Sequence, residues 1–97
     1  MTLTVRSQAD RDIAEALQYY IREETPQSAE RFANAVDLAY DEIIDAPTRP
    51  RIVEYGFREK KLKKFPYSVL YSIEESEIVV VAVYHDERNR AYLRDRI

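Results

Sequence analysis

Cysteine is absent and histidine occurs once, at position 85. Disulfide scaffolds, thiol chemistry and any zinc site assembled from Cys and His of one chain are thereby excluded. The lack of cysteine also agrees with a reducing, cytoplasmic setting. Long apolar runs are missing too. The longest, "IVVVAVY", is far too short to span a bilayer, and the N-terminal "MTLTVRSQADRD" has no apolar core of a signal peptide. No repeat, low-complexity tract or linker interrupts the 97 residues, so the expectation is one domain, 1–97, with room for a single modest core. What is plentiful is charge: 34% of the chain is charged against 45% hydrophobic, the balance of a soluble globular protein rather than a disordered one.

That charge is unevenly placed. Between Ser7 and Asp45, Asp10, Asp12, Glu15, Glu23, Glu24, Glu30, Asp37, Asp41, Glu42 and Asp45 face only Arg11, Arg22 and Arg31. From Arg49 to Lys64 the balance reverses, with Arg49, Arg51, Arg58, Lys60, Lys61, Lys63 and Lys64 against Glu54 and Glu59. Such a basic segment reads either as a contact for phosphate or an acidic protein, or as a solvated loop.

Hydrophobic spacing predicts β-α-α-β-β-β. "LTVR" is a short first strand. Ser7 then serves as N-cap, with Asp10 at the capping-box position, and Ile13, Ala14, Leu17, Tyr20 and Ile21 recur at helical spacing to about Glu24. Thr25-Pro26 caps and restarts a second helix whose apolar stripe is Ala29, Phe32, Ala33, Val36, Ala39, Tyr40, Ile43 and Ile44, ending near Asp45. So short a connection makes the pair an antiparallel hairpin. "RIVEYGFRE" alternates as a strand with Val53, Tyr55 and Phe57 on one face, and its Gly56, the only glycine, marks a bulge or a close approach. "YSVLYSI", the turn "EESE" and "IVVVAVYH" form a hairpin, and "NRAYLRDRI" adds a helical turn or two. The expected architecture is α+β: a helical hairpin packed on one face of a small, largely antiparallel sheet.

Strand parity raises a question about the second face. Ser68 and Ser72 suggest that it is wet, yet strict alternation in the last strand puts Ile78, Val80, Ala82 and Tyr84 on one face and Val79, Val81 and Val83 on the other. A solvent-facing valine row marks a partner surface, unless the tail (Tyr92, Leu93, Ile97) folds back over it.

The stretch "FPYSVLYSIEESEIVVVAVYHDER" resembles the C-terminal signature of the ParE branch of the RelE/ParE toxin superfamily: a Phe-Pro-Tyr strand, a hairpin, then an apolar strand ending in His with Arg close behind. The helix opening "ADRDIAEALQYY", the "SAERF" helix, the following Pro and Arg58 agree with it over nearly the whole length. Departures are "ERNRAY" where many members have Arg-Asp-Pro after the His, Leu93 where Trp is common, and an acidic overall charge. The resemblance implies the fold above and the toxin of a type II toxin–antitoxin, or plasmid stabilisation, system. It implies a cognate antitoxin as partner, a homodimer or a toxin–antitoxin hetero-oligomer, a cytoplasmic location and no cofactor or metal. ParE-like members inhibit DNA gyrase by protein contact, trapping it on cleaved DNA, with no sequence-specific nucleic-acid binding and no membrane contact. RelE-like members cleave messenger RNA on the ribosome, and a third reading is an inactive toxin kept as an antitoxin-binding co-repressor.

A metal-independent ribonuclease needs a general base, a general acid and cations for the phosphorane charge. In RelE-like enzymes an Arg of the third strand supplies charge, and here the matching position is Ser68, which cannot. The remaining candidates for that chemistry are His85, Arg88, Tyr92 and Arg58. Against catalysis, a lone His at a strand end is also a satisfied hydrogen-bonding residue that donates to a carbonyl of the last turn. For contact with gyrase or antitoxin the candidates are Arg58, Lys60, Lys61, Val79, Val81, Val83, Arg88 and Arg90.

Overall fold

The computed structural model describes residues 1–88 and 90–97, the side chains of Arg90 and Tyr92 excepted. A strand β1 (Thr2–Val5) leads into helices α1 (Ser7–Glu23) and α2 (Pro26–Asp45), then strands β2 (Arg58–Lys61), β3 (Tyr67–Glu74) and β4 (Glu77–His85), and a 3-10 segment Arg90–Arg96. The sheet runs β1-β4-β3-β2, antiparallel across β2, β3 and β4, with β1 added parallel to β4. The parallel pairing of β1 with β4 thus makes the sheet mixed, with an antiparallel majority.

The helices form where the apolar spacing placed them. Thr25 Oγ1 accepts the Ser28 N–H at 3.0 Å and Pro26 opens α2, as the cap and N1 position favour. Ser7, however, is already helical: Arg6 occupies the N-cap position in extended conformation, with no side-chain cap. Ala9, Ala16 and Tyr20 of α1 and Ala29, Phe32, Val36, Ala39 and Ile43 of α2 bury against Val69, Tyr71, Ile78, Val80 and Val83 of the sheet. Ala14, Ile21 and Ile44 lie outside this stripe and are exposed.

The strand read in "RIVEYGFRE" is displaced. Tyr55 and Gly56 take φ of 62° and 78°, which breaks extended backbone, and residues 54–56 wind into a 3-10 turn closed by Phe57 N–H to Glu54 O at 3.3 Å, with Val53 N–H donating to Phe57 O at 2.7 Å across its base. The ladder starts only at Arg58, after an isolated Ile52–Arg58 bridge. Gly56 serves the left-handed turn, not a close approach, since a Cβ there would meet nothing within 4 Å. The β3–β4 turn needs the same backbone region at Glu75, φ 58°, without glycine.

A β-bulge changes the parity of β4. Leu70 pairs with Ala82 but Tyr71 pairs with Val80, leaving Val81 as the extra residue. Val81 and Ala82 consequently face the same way, and Val83 turns under the helices with Ile78 and Val80. The expected row of Val79, Val81 and Val83 is split, because alternation does not survive an inserted residue. The second face is covered as well. Phe57, Leu70, Val79, Val81, Ala82, Tyr84 and Leu93 form a second core, with Val53 against it, so the turn at 53–57 and the C-terminal segment wall off what would have been a wet face. Ser68 belongs to that covered side and is fully buried, contrary to the solvated position expected of it.

Candidate functional site

The sheet position that would carry a cation in a ribonuclease holds a polar network instead. Ser68 Oγ donates to Asp86 Oδ1 at 2.6 Å, and Lys61 Nζ lies 3.7 Å from the same carboxylate oxygen. Lys61 also reaches Glu59 (3.8 Å), whose side chain is only 1% exposed and is met by Arg51 at 3.4 Å and by the Tyr84 hydroxyl. A buried carboxylate is tolerable only with such partners. Glu59, Asp86 and Tyr84 were missed as a unit in the sequence. The signal available in the sequence was that Glu59 continues the alternation of Val53 and Phe57, both of which reach the second core.

His85 stands at the far end of β4, paired with Tyr67 and with the two rings edge to face at 5.2 Å. Its Nδ1 accepts the Glu87 N–H at 3.1 Å, so the imidazole receives a hydrogen bond from the exit turn at this nitrogen, where donation to a carbonyl was expected. It lines a cleft of about 490 Å³ with Tyr19, Tyr20, Glu24, Lys64, Phe65, Pro66 and Tyr67. A smaller adjoining cleft of about 160 Å³ brings His85 and Arg88 together with Asp12, Glu15 and Tyr19. Burial, reinforced by Tyr67, Glu24 and Tyr19, pushes the Tyr20 hydroxyl up to about 12.

Arg58 is not part of that grouping. It pairs with Tyr71 whereas His85 pairs with Tyr67, a separation of four β3 residues, or about 13 Å of strand rise. Its guanidinium donates to Thr48 O (3.0 Å) and Pro50 O (2.7 Å), pinning the chain that follows α2. Lys60 lies 3.6 Å from Glu42 of α2. The basic segment is therefore largely engaged with acids and carbonyls of its own chain. Val79 and Val81 sit under the tail and Val83 under the helices, all at most 6% exposed. Arg90 and Tyr92, also candidates from the sequence, have side chains outside the described residues.

Asp12 was not singled out in the sequence, yet it joins three elements. Its carboxylate takes both terminal nitrogens of Arg96, at 2.9 and 3.0 Å, and accepts the Val83 N–H at 3.0 Å. Arg96 also donates to Val81 O at 2.8 Å. The polar main-chain groups around the bulge are thus satisfied by one ion pair that ties α1 and the tail to β4. Among the described residues no group of three His, Cys, Asp or Glu side chains is placed to hold a metal ion, and no helix is long and apolar enough to cross a membrane.

The architecture is shared with a solved structure described as the chromosomal ParDE TA system from P. aeruginosa. The TM-score is 0.82 at 19% identity, over 90% of this chain and 97% of that one. A comparison with curated proteins gave no match. The family described as the ParE toxin of the type II toxin–antitoxin system, parDE, matches residues 3–90, from β1 through the bulged strand and its histidine to the start of the tail. With that match spanning all four strands and both helices, the chain belongs to the ParE toxin family of type II toxin–antitoxin systems.

Proposed function

We propose that this ParE-type toxin acts by protein–protein contact on DNA gyrase, in the bacterial cytoplasm, and is neutralised by a cognate antitoxin. The observation that carries this reading is the state of Ser68. It is buried and hydrogen-bonded to Asp86, beside a lysine held between two carboxylates. A phosphorane dianion would find no uncommitted cation at this position, and electrostatic stabilisation is the largest part of metal-free phosphoryl chemistry. Of the candidate cations, Arg58 lies across β3 from His85 and is committed to two carbonyls, while Arg88 shares the smaller cleft with His85 beside Asp12 and Glu15. An inhibitor that acts by contact does not need an assembled acid, base and cation set.

The test runs two assays on the purified protein. Supercoiling by gyrase should fall, with cleaved DNA accumulating on the enzyme, while messenger RNA in a translating extract stays intact. Cleavage in the ribosomal A-site codon, lost on His85→Ala, would replace the proposal with the ribonuclease reading. Silence in both assays alongside antitoxin binding would replace it with the co-repressor reading.

A further inference from the structure

The larger cleft has a composition that the gyrase reading does not use. Tyr20 meets Tyr19 edge-on at 5.3 Å and Phe65 edge-on at 5.4 Å, Tyr67 lies 6.3 Å from it, and His85 packs edge-on against Tyr67. Glu24 lines the cleft just past the end of α1, and Glu15 lines the smaller cleft that shares Tyr19 and His85 with it. Aromatic faces and phenol oxygens are negative, and a carboxylate beside them adds full charge.

We infer that the Tyr19–Tyr20–Tyr67–Glu24 cleft receives the guanidinium of an arginine side chain presented by a protein partner. Guanidinium is planar, weakly hydrated and stacks on aromatic rings while bonding a carboxylate, which suits this lining better than an ammonium or an anion. About 490 Å³ accommodates one long side chain with part of its backbone. Among the described residues Lys64 is the opposing charge lining this cleft, and Arg88 lines the smaller one beside it. Lys64 forms the wall common to this cleft and to an apolar groove lined by Arg31, Ala35, Leu38 and Phe65, so it sits on the ridge between them. The assignment does not depend on gyrase being the target.

The experiment titrates the full chain with N-acetyl-arginine methylamide, its citrulline counterpart and adenosine monophosphate, following the Tyr and His85 ring signals by NMR. The arginine compound should shift Tyr19, Tyr20, Tyr67 and His85, and citrulline, which has the same shape without charge, should bind about tenfold more weakly. Glu24→Gln and Tyr19→Ala, both at exposed positions, should each weaken arginine binding about threefold or more, and Lys64→Ala should strengthen it. Equal binding of arginine and citrulline, or no ring shift with either, would overturn the inference. Tighter binding of the nucleotide, weakened by Lys64→Ala, would overturn it in favour of an RNA-facing cleft.

Discussion

Arg58 donates to two main-chain carbonyls, of Thr48 and Pro50, beside the Tyr71 hydroxyl that donates to Pro47 O at 2.6 Å. Three bonds from two strands thus hold the chain between α2 and β2. Replacing Arg58 by Ala removes two charge-assisted bonds and should cost about 2–3 kcal/mol, seen as a melting temperature lower by about 10 °C or more. Lys60→Ala, which loses one partly exposed pair with Glu42, should stay within about 1 kcal/mol. A melting temperature unchanged by Arg58→Ala would mean that the loop is held by Tyr71 alone. Neither role was readable in a run of basic residues, because the partner of each cation is a carbonyl or an acid from a different element. Ser68 illustrates the same limit. Alternation in β3 assigned it correctly to the face opposite the helices, but whether that face is covered depends on Asp86, 18 residues away, and on the tail.

The C-terminal 3-10 segment behaves as a wall of the second core rather than as a solvated tail. Leu93 is fully buried among Val79, Val81, Ala82 and Tyr84, and Arg96 clamps Asp12 with both members of the pair largely out of water. Leu93→Ala should cost about 2–5 kcal/mol through lost contacts and a cavity. Arg96→Ala should cost about 2–4 kcal/mol, since it leaves a carboxylate and a carbonyl short of partners. Truncation after Arg88 bares the doubly apolar strand and should yield aggregate in size-exclusion chromatography. A truncated chain that stays monomeric, with its urea midpoint unchanged, would show that the segment is only draped over the sheet. Both helices and the last hairpin were legible because their apolar periodicity is a local property of the chain. The bulge at Val81 was not, since strand register is decided between strands, and one inserted residue moves Val83 from the predicted row to the helix side. The start of β2 was missed for a local reason of another kind: the alternation of Val53 and Phe57 is genuine and both reach the second core, but positive φ at Tyr55 and Gly56 turns the chain between them.

The whole molecule is tied together by tyrosines, eight in 97 residues. Four of them link the layers in ways that set a limit on alkaline stability. Burial raises the hydroxyls of Tyr20, Tyr40, Tyr67 and Tyr71 above the ordinary tyrosine value of 10. Tyr20 reaches about 12, and Tyr40, buried beside Asp10 and Asp37, goes further in the same direction. In the unfolded chain all four ionise near their ordinary value. The folded state therefore holds protons that the unfolded state releases, so the contribution of these four groups is constant below about pH 10 and is lost as pH rises from there toward and beyond 12. The fall should be steep, because four groups on both helices and on β3 contribute together. Thermal melts between neutral pH and about pH 11.5, read beside tyrosinate absorbance, check this. Part of the tyrosinate signal should appear only with loss of structure, and Tyr40→Phe, which keeps the ring and removes one such proton, should shift the alkaline limb upward. Free titration of all eight tyrosines near pH 10 in a chain that remains folded would mean that these hydroxyls reach water and that α1 and α2 pack more loosely on the sheet than the burial of Tyr20 and Phe32 requires.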